Sequence, residues 1–259
     1  MLRADTGLAE EILVIACAAG ESILQHYRRP DVEVALKGDG SPLTLADEEA
    51  NALIVERLRA LTPEIPIVAE ESVAAGNVPA VGACFWLVDP LDGTKEFLHK
   101  NGDFTVNIAL VRDGLPTLGV VHAPALGLSY LSTGSGRCAF EIDRDGARAA
   151  IRARTAPERG AVLVVSRSHR SPETAAYLAQ FPDFRAAERG SSLKFCLVAT
   201  GQADVYPRLG RTMEWDTAAG QAVLQAAGGA VHDVAGNVLR YGKNASFENP
   251  HFIARGLVS

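Results

Sequence analysis

The order of apolar patterns changes once along the chain, near residues 152–160, and this limits the fold more than any single motif. Before that point two helices precede a run of strands. Leu8, Ile12, Ile15, Ala16, Ala19 and Ile23 recur at helical spacing and predict a helix over 8–27. Thr44-x-x-Asp47 has the form of a capping box, and Ala50, Leu53, Ile54, Leu58 and Leu61 continue a second helix to about 61, before Pro63 and Pro66. Strands are expected at 65–69, which delivers Glu70 and Glu71 at its exit, and at 83–88. A hairpin, 104–111 with 115–122, turns at Arg112-Asp113-Gly114. Further strands follow at 128–132, 137–142 and 147–151. Beyond the basic, turn-rich stretch, strands (161–166, 184–188, 203–208) alternate with helices (172–180, 193–200, 217–227), and strands close the chain near 230–233 and 251–254. This order predicts an α+β N-terminal domain over 1–155 and an α/β C-terminal domain over 156–259.

Composition excludes several classes of function. A net charge of −6 argues against binding a nucleic-acid polymer, though local charge can still hold a small anion. Cys17, Cys84, Cys138 and Cys196 are scattered, form no Cys-x-x-Cys pair and read as buried free thiols. Residues 1–11 lack a secretory pattern, and no apolar run approaches the ~18 residues that span a bilayer. A cytoplasmic protein with no transmembrane segment is expected; the oligomeric state is left open, a monomer being the favoured form.

The stretch from Trp86 to Thr94 carries the most chemistry. The strand is expected to end where Asp89 and Pro90 begin. Gly93 then permits a tight turn, and Thr94 caps a helix starting at Lys95. Two carboxylates and a hydroxyl at a strand-to-turn edge suit a hard divalent cation, and phosphate binds readily at a helix N-terminus. Ordinary turn chemistry accounts for the same residues. Asp216, before an apolar helix, could equally be an N-cap, and Asp47 a favourable charge in a first turn.

Glu70, Asp89, Asp92 and Asp216 all stand at element ends. If clustered they would repel one another unless cations neutralised them. Two or three Mg2+ ions would do so, polarise a phosphoryl group and lower the pKa of a water. Asp47, paired with the Thr94 hydroxyl, could accept a proton from that water.

Glu70-Glu71-Ser72, then Asp89-Pro90-Leu91-Asp92-Gly93-Thr94, then Trp215-Asp216-Thr217-Ala218-Ala219-Gly220 resemble, in order and spacing, the three signature motifs of the inositol monophosphatase superfamily. The resemblance implies an alternating five-layer αβαβα sandwich of the inositol monophosphatase and fructose-1,6-bisphosphatase type. It implies Mg2+-dependent, lithium-sensitive hydrolysis of phosphomonoesters. Glu70, Asp89, Asp92, Asp216 and the Leu91 carbonyl map onto metal ligands, and Asp47 and Thr94, with Glu70, onto the catalytic set. Within the superfamily, residues 89–107, 165–169, 190–199, 203–208 and 215–220 resemble the bacterial 3′(2′),5′-bisphosphate nucleotidases. That likeness implies conversion of adenosine 3′,5′-bisphosphate to AMP and phosphate in sulfate assimilation. The alternative is a phosphatase of inositol or another sugar phosphate. Some relatives associate peripherally with the inner membrane, although no stretch here is basic, amphipathic and apolar enough to show it.

A bisphosphate needs donors away from the metals. Ser166, Arg167 and His169 lie at a strand exit, Ser191, Ser192 and Lys194 at a helix start, and Arg208 and Arg211 after a strand. With Leu91, Asp92, Gly93, Thr94 and Asp216 they make up the expected substrate site. For each, a solvated cation or a capping serine is the competing reading. A haloacid-dehalogenase-type phosphatase is excluded by spacing, because it needs Asp-x-Asp-x-Thr and the aspartates here are three apart. A non-catalytic phosphate binder would lack a ligand or the water activator, and every mapped position is filled with a suitable type.

Overall fold

The computed structural model describes residues 2–29, 34–36, 38, 42–134, 138–166, 172–181, 183–244 and 246–257. In the N-terminal half, α1 (Leu2–Tyr27), β1 (Val34–Leu36), β2 (Pro42–Thr44) and α2 (Leu45–Leu61) precede β3 (Ile67–Ala69) and the short α3 (Glu70–Ala74). Then come β4 (Cys84–Asp92), α4 (Thr94–Leu98), β5 (Thr105–Arg112), β6 (Leu115–Ala123), β7 (Leu128–Ser132), β8 (Ala139–Ile142) and β9 (Arg148–Ile151). The C-terminal half holds β10 (Val162–Ser166), α5 (Pro172–Leu178), β11 (Arg185–Arg189), α6 (Leu193–Ala199) and β12 (Val205–Arg208). It ends with a 3-10 turn (Glu214–Asp216), α7 (Ala218–Ala226), β13 (Ala230–Asp233) and β14 (Phe252–Arg255).

Strands β3 to β9 form one seven-stranded sheet in sequence order, antiparallel except where β3 runs parallel to β4. The second sheet has five strands in the order β11-β10-β12-β14-β13. Its β10, β11 and β12 are parallel, as alternating βα units require, and β14 is antiparallel to both its neighbours.

Alternation along the strands reveals the layers. In β4, Trp86 and Val88 pack with Ile12, Ile23 and Ile54 of α1 and α2, whereas Phe85 and Leu87 join the core of Phe195, Val198 and Val223 from α6 and α7. In the second sheet, Val164 and Phe252 face that same middle core, while Leu163 and Ile253 face Tyr177 and Leu178 of α5. The sequence of layers is therefore α1/α2, seven-stranded sheet, α6/α7, five-stranded sheet, α5: the five-layer αβαβα sandwich. The middle core draws on both halves of the chain.

Most expected elements lie within a few residues of their sequence positions, with four corrections. β4 does not stop at Asp89 but runs on to Asp92. Thr94 does not cap α4: Gly93, at φ 91°, takes the cap position and Thr94 is the first helical residue. Asp216 lies in the 3-10 turn, and Thr217 stands at the N-cap of α7. The cysteines are free as expected, but Cys138 is exposed, Cys17 and Cys84 are half-buried, and only Cys196 is buried.

Candidate active site

The longer β4 explains how two aspartates three apart come to face the same way. Residues three apart on a regular strand point to opposite faces. Here Asp89 pairs with Asn107 and Asp92 with Thr105, so three steps on β4 match two on β5. One extra residue is a β-bulge. Side-chain parity flips across it: Leu91 packs into the α1/α2 core, on the side of Val88, and Asp92 is left on the side of Asp89. Pro90 is tolerated because β3 ends opposite Val88 and asks for no donor beyond it. The Asp89 Oδ1 accepts the Leu91 N–H at 3.0 Å and fixes the bend.

The remaining acids arrive from other elements. Because β3 and β4 are parallel and Ala69 pairs with Val88, the next residues, Glu70 just past the end of β3 and Asp89 within β4, stand side by side. Asp216 comes from the 3-10 turn, where one carboxylate oxygen accepts the Met213 N–H at 2.8 Å. Glu70, Asp89, Asp92 and Asp216 line one cavity of about 240 Å3, together with Leu91, Gly93 and Thr94. Among the described residues no three acidic, histidine or cysteine side chains close into a ready-made metal cage. The acids ring an open cavity, yet they feel one another. Burial holds the Asp216 carboxyl well above the usual carboxylate range, and the charges of Asp92 and Glu70 raise it further. Burial likewise raises Asp92, against the pull of Lys194 and the Asn107 and Ser192 donors.

Asp47 is buried at the start of α2 and does two things at once. Its Oδ2 accepts the Thr44 N–H (2.7 Å) and the Thr44 hydroxyl (2.6 Å), which is the expected capping box. Its Oδ1 accepts the Thr94 hydroxyl at 3.4 Å, a hydroxyl that also lies 3.3 Å from the Leu91 carbonyl oxygen.

Cationic side chains line the same cavity. Lys194 is 7% exposed and lines the cavity with Arg208 and Ser191. Burial lowers the Lys194 ammonium to about 8, with Asp92 pulling it back up and Arg208 pushing it down. The Ser191 Oγ and the Arg208 Nε are buried with no hydrogen-bond partner among the described residues. Two expected donors stand elsewhere: Ser192 is occupied by bonds to Asp92, Asn107 and Asp216, and the exposed Arg211 lies 3.6 Å from Glu248. Arg167 and His169 lie outside the described residues, and Ser166 is described only as the end of β10.

Sequence reading missed Tyr206, Phe195 and Thr212, which also line the cavity. Tyr206 is packed edge-on against Phe195 (5.2 Å between ring centroids) and Phe252 (5.7 Å). A signal was available: residues two apart on a strand share a face, so Tyr206 follows from Arg208.

The sequence profile described as inositol monophosphatase family matches residues 7–256. The 3′(2′),5′-bisphosphate nucleotidase CysQ of Salmonella typhimurium is 47% identical over 247 residues, covering 95% of this chain and 98% of that protein. Its counterpart from Escherichia coli strain K12 is 46% identical over the same shares. Among solved structures, CysQ from Bacteroides thetaiotaomicron superposes with a TM-score of 0.82 at 36% identity, covering 98% of both chains. An IMPase from Thermotoga maritima superposes at 0.72 with 26% identity, covering 98% of this chain and 92% of its own.

Proposed function

The chain belongs to the inositol monophosphatase family, and from that premise we propose that it is a Mg2+-dependent 3′(2′),5′-bisphosphate nucleotidase. Its reaction is removal of the 3′-phosphate of adenosine 3′,5′-bisphosphate, leaving AMP and inorganic phosphate. One observation carries the reading: a single cavity is lined both by the four carboxylates and by Lys194, Arg208 and Ser191. A substrate with two phosphates needs both sets, one for the phosphate to be cut and one for the phosphate that stays.

The donor set fits magnesium. Four carboxylates and the Leu91 carbonyl are hard oxygen ligands, and the repulsion by which Asp92 and Glu70 raise Asp216 is what a divalent cation relieves. Glu70, Asp89, Asp92, Asp216 and Leu91 would hold it. Two ions balance the four charges, and a third would leave net positive charge for the phosphate. Bound Mg2+ supplies polarisation of the phosphoryl group and stabilises the departing oxygen.

The protein's own residues do the rest. The Thr94 hydroxyl donates to Asp47, so it can receive a proton from the attacking water and pass its own to the carboxylate. Glu70 faces the same water from the exit of β3. Gly93 and Thr94 line the cavity beside the scissile phosphate, and Lys194, Arg208 and Ser191 hold the second phosphate through charge-assisted bonds. Ser166 and His169, expected nucleotide contacts from the sequence, complete the proposed substrate set. In the cell this reading puts the enzyme in the cytoplasm, clearing a by-product of sulfate assimilation; among the described residues no helix is long and apolar enough to cross a membrane.

Phosphate release from adenosine 3′,5′-bisphosphate and from inositol 1-phosphate, with and without Mg2+ and with added Li+, tests the proposal. Expected are turnover of the nucleotide, its loss in EDTA and inhibition by Li+. Turnover of inositol 1-phosphate with none of the nucleotide would refute it.

A further inference from the structure

The face of the seven-stranded sheet that meets α6 and α7 is apolar at Ala109, Val111 and Val121, but at Thr105 and Asn107 it is not. Both polar side chains are fully buried, as is Ser192 in the turn before α6. Such groups cost stability unless their bonds are satisfied, and an apolar trio would fill the same space without that demand.

Their bonds run in one direction. The Thr105 hydroxyl donates to Asn107 Oδ1 at 3.0 Å, which sets the orientation of the amide. The Asn107 amide then donates to Ser192 Oγ at 2.9 Å and to Asp92 Oδ2 at 3.2 Å. The Ser192 hydroxyl donates to the Asp216 carbonyl at 2.7 Å, and the Ser192 N–H donates to Asp92 Oδ2 at 2.7 Å. One oxygen of Asp92 thus takes two donors, while the residue lines the cavity. Asn107 is also the cross-strand partner of Asp89, directly over the bulge. Three elements that carry carboxylates, or sit opposite them, therefore meet at one serine whose neighbours are Ser191 and, two residues on, Lys194.

We infer that Asn107 and Ser192 are positioning residues: they aim Asp92 and Asp216 at the cation and tie the segment carrying Ser191 and Lys194 to the acids. This rests on the function proposed above. It makes the acidic and cationic groups interdependent, so that weakening the relay loosens Mg2+ and the second phosphate together.

The test is Mg2+ titration calorimetry on the substrate-free full chain, with steady-state kinetics and melting temperatures in EDTA as companions. Ser192→Ala and Asn107→Ala are expected to weaken Mg2+ binding by about 10- to 100-fold, the range for outer-shell partners of a metal ligand. KM for adenosine 3′,5′-bisphosphate at saturating Mg2+ should rise as well. Ser192→Thr, which keeps the hydroxyl, should restore most of the Mg2+ affinity. Thr105→Val leaves both Asp92 donors in place, is the mildest change to the fold, and should weaken Mg2+ by several-fold. Variants that melt lower in EDTA yet bind Mg2+ like the wild type would overturn the inference and leave only a structural role. A wild-type protein that binds no Mg2+ would overturn the function itself, and the relay's purpose with it.

Discussion

Replacing Asp92 by Asn keeps its size and its place beside Asn107 but removes a charge from the acids of the cavity. We expect Asp92→Asn to weaken Mg2+ by at least about 100-fold, the upper end for outer-shell partners, and to abolish turnover at ordinary Mg2+, with partial rescue by excess. Wild-type kcat at ordinary Mg2+ would refute its role as a ligand. Thr94→Ala should instead lower kcat by about 10²- to 10⁴-fold, the usual contribution of a proton-transfer group, with Mg2+ affinity nearly unchanged in calorimetry. Lys194 gives a pH signature. Its ammonium is charged below about 8 and neutral above, so KM for the nucleotide should climb as pH passes that value. Lys194→Gln should flatten this dependence and raise KM at neutral pH by roughly 10- to 100-fold, the cost of one charge-assisted bond. The acids were legible because each sits in a short local pattern. Tyr206 and the Asn107–Ser192 contact were not, because a residue's partners across a sandwich are not written in its own neighbourhood.

At the scale of elements, capping boxes, the Asp-Gly hairpin and the alternation of strands with helices were readable, since each depends on residues within one turn or ladder. The bulge in β4 was not. Pro90 signalled the end of a strand, and only the β5 register shows that the ladder resumes. The packing of α7 on β6 was equally hidden. An added Cβ at Gly119 would lie 2.7 Å from both the Ala219 carbonyl oxygen and the Ala222 Cβ. Gly119→Val should therefore push away the helix that follows Asp216. It is expected to cost about 1–3 kcal/mol in denaturant unfolding, the usual penalty of overpacking, and to weaken Mg2+ as well. An unfolding curve and Mg2+ isotherm matching the wild type would show that the two elements yield without strain.

The whole molecule shares one middle core between its halves, so stability should be lost in a single calorimetric transition. Acid should weaken it through His122, which packs against α1 at Gly20 and meets Ser129 Oγ at 2.8 Å. Burial lowers this imidazole to about 4 from an ordinary 6.5. The unfolded chain takes up the proton first, so stability is intact above about 6.5 and falls as pH drops towards 4, by roughly 2–3 kcal/mol at most. His122→Gln should flatten that limb of the curve of unfolding free energy against pH. At this scale element order yielded an α+β half and an α/β half and the five layers followed from resemblance alone, whereas the sharing of a core between halves came only from the packed structure. The odd residue in β4 also has an evolutionary reading. Were the residues from Asp89 to Asp92 to pair one for one with β5, Asp92 would swing into the greasy layer under α1. Descendants of this gene can trade side chains around the pocket, but a shift in how these two strands pair at that spot should be purged.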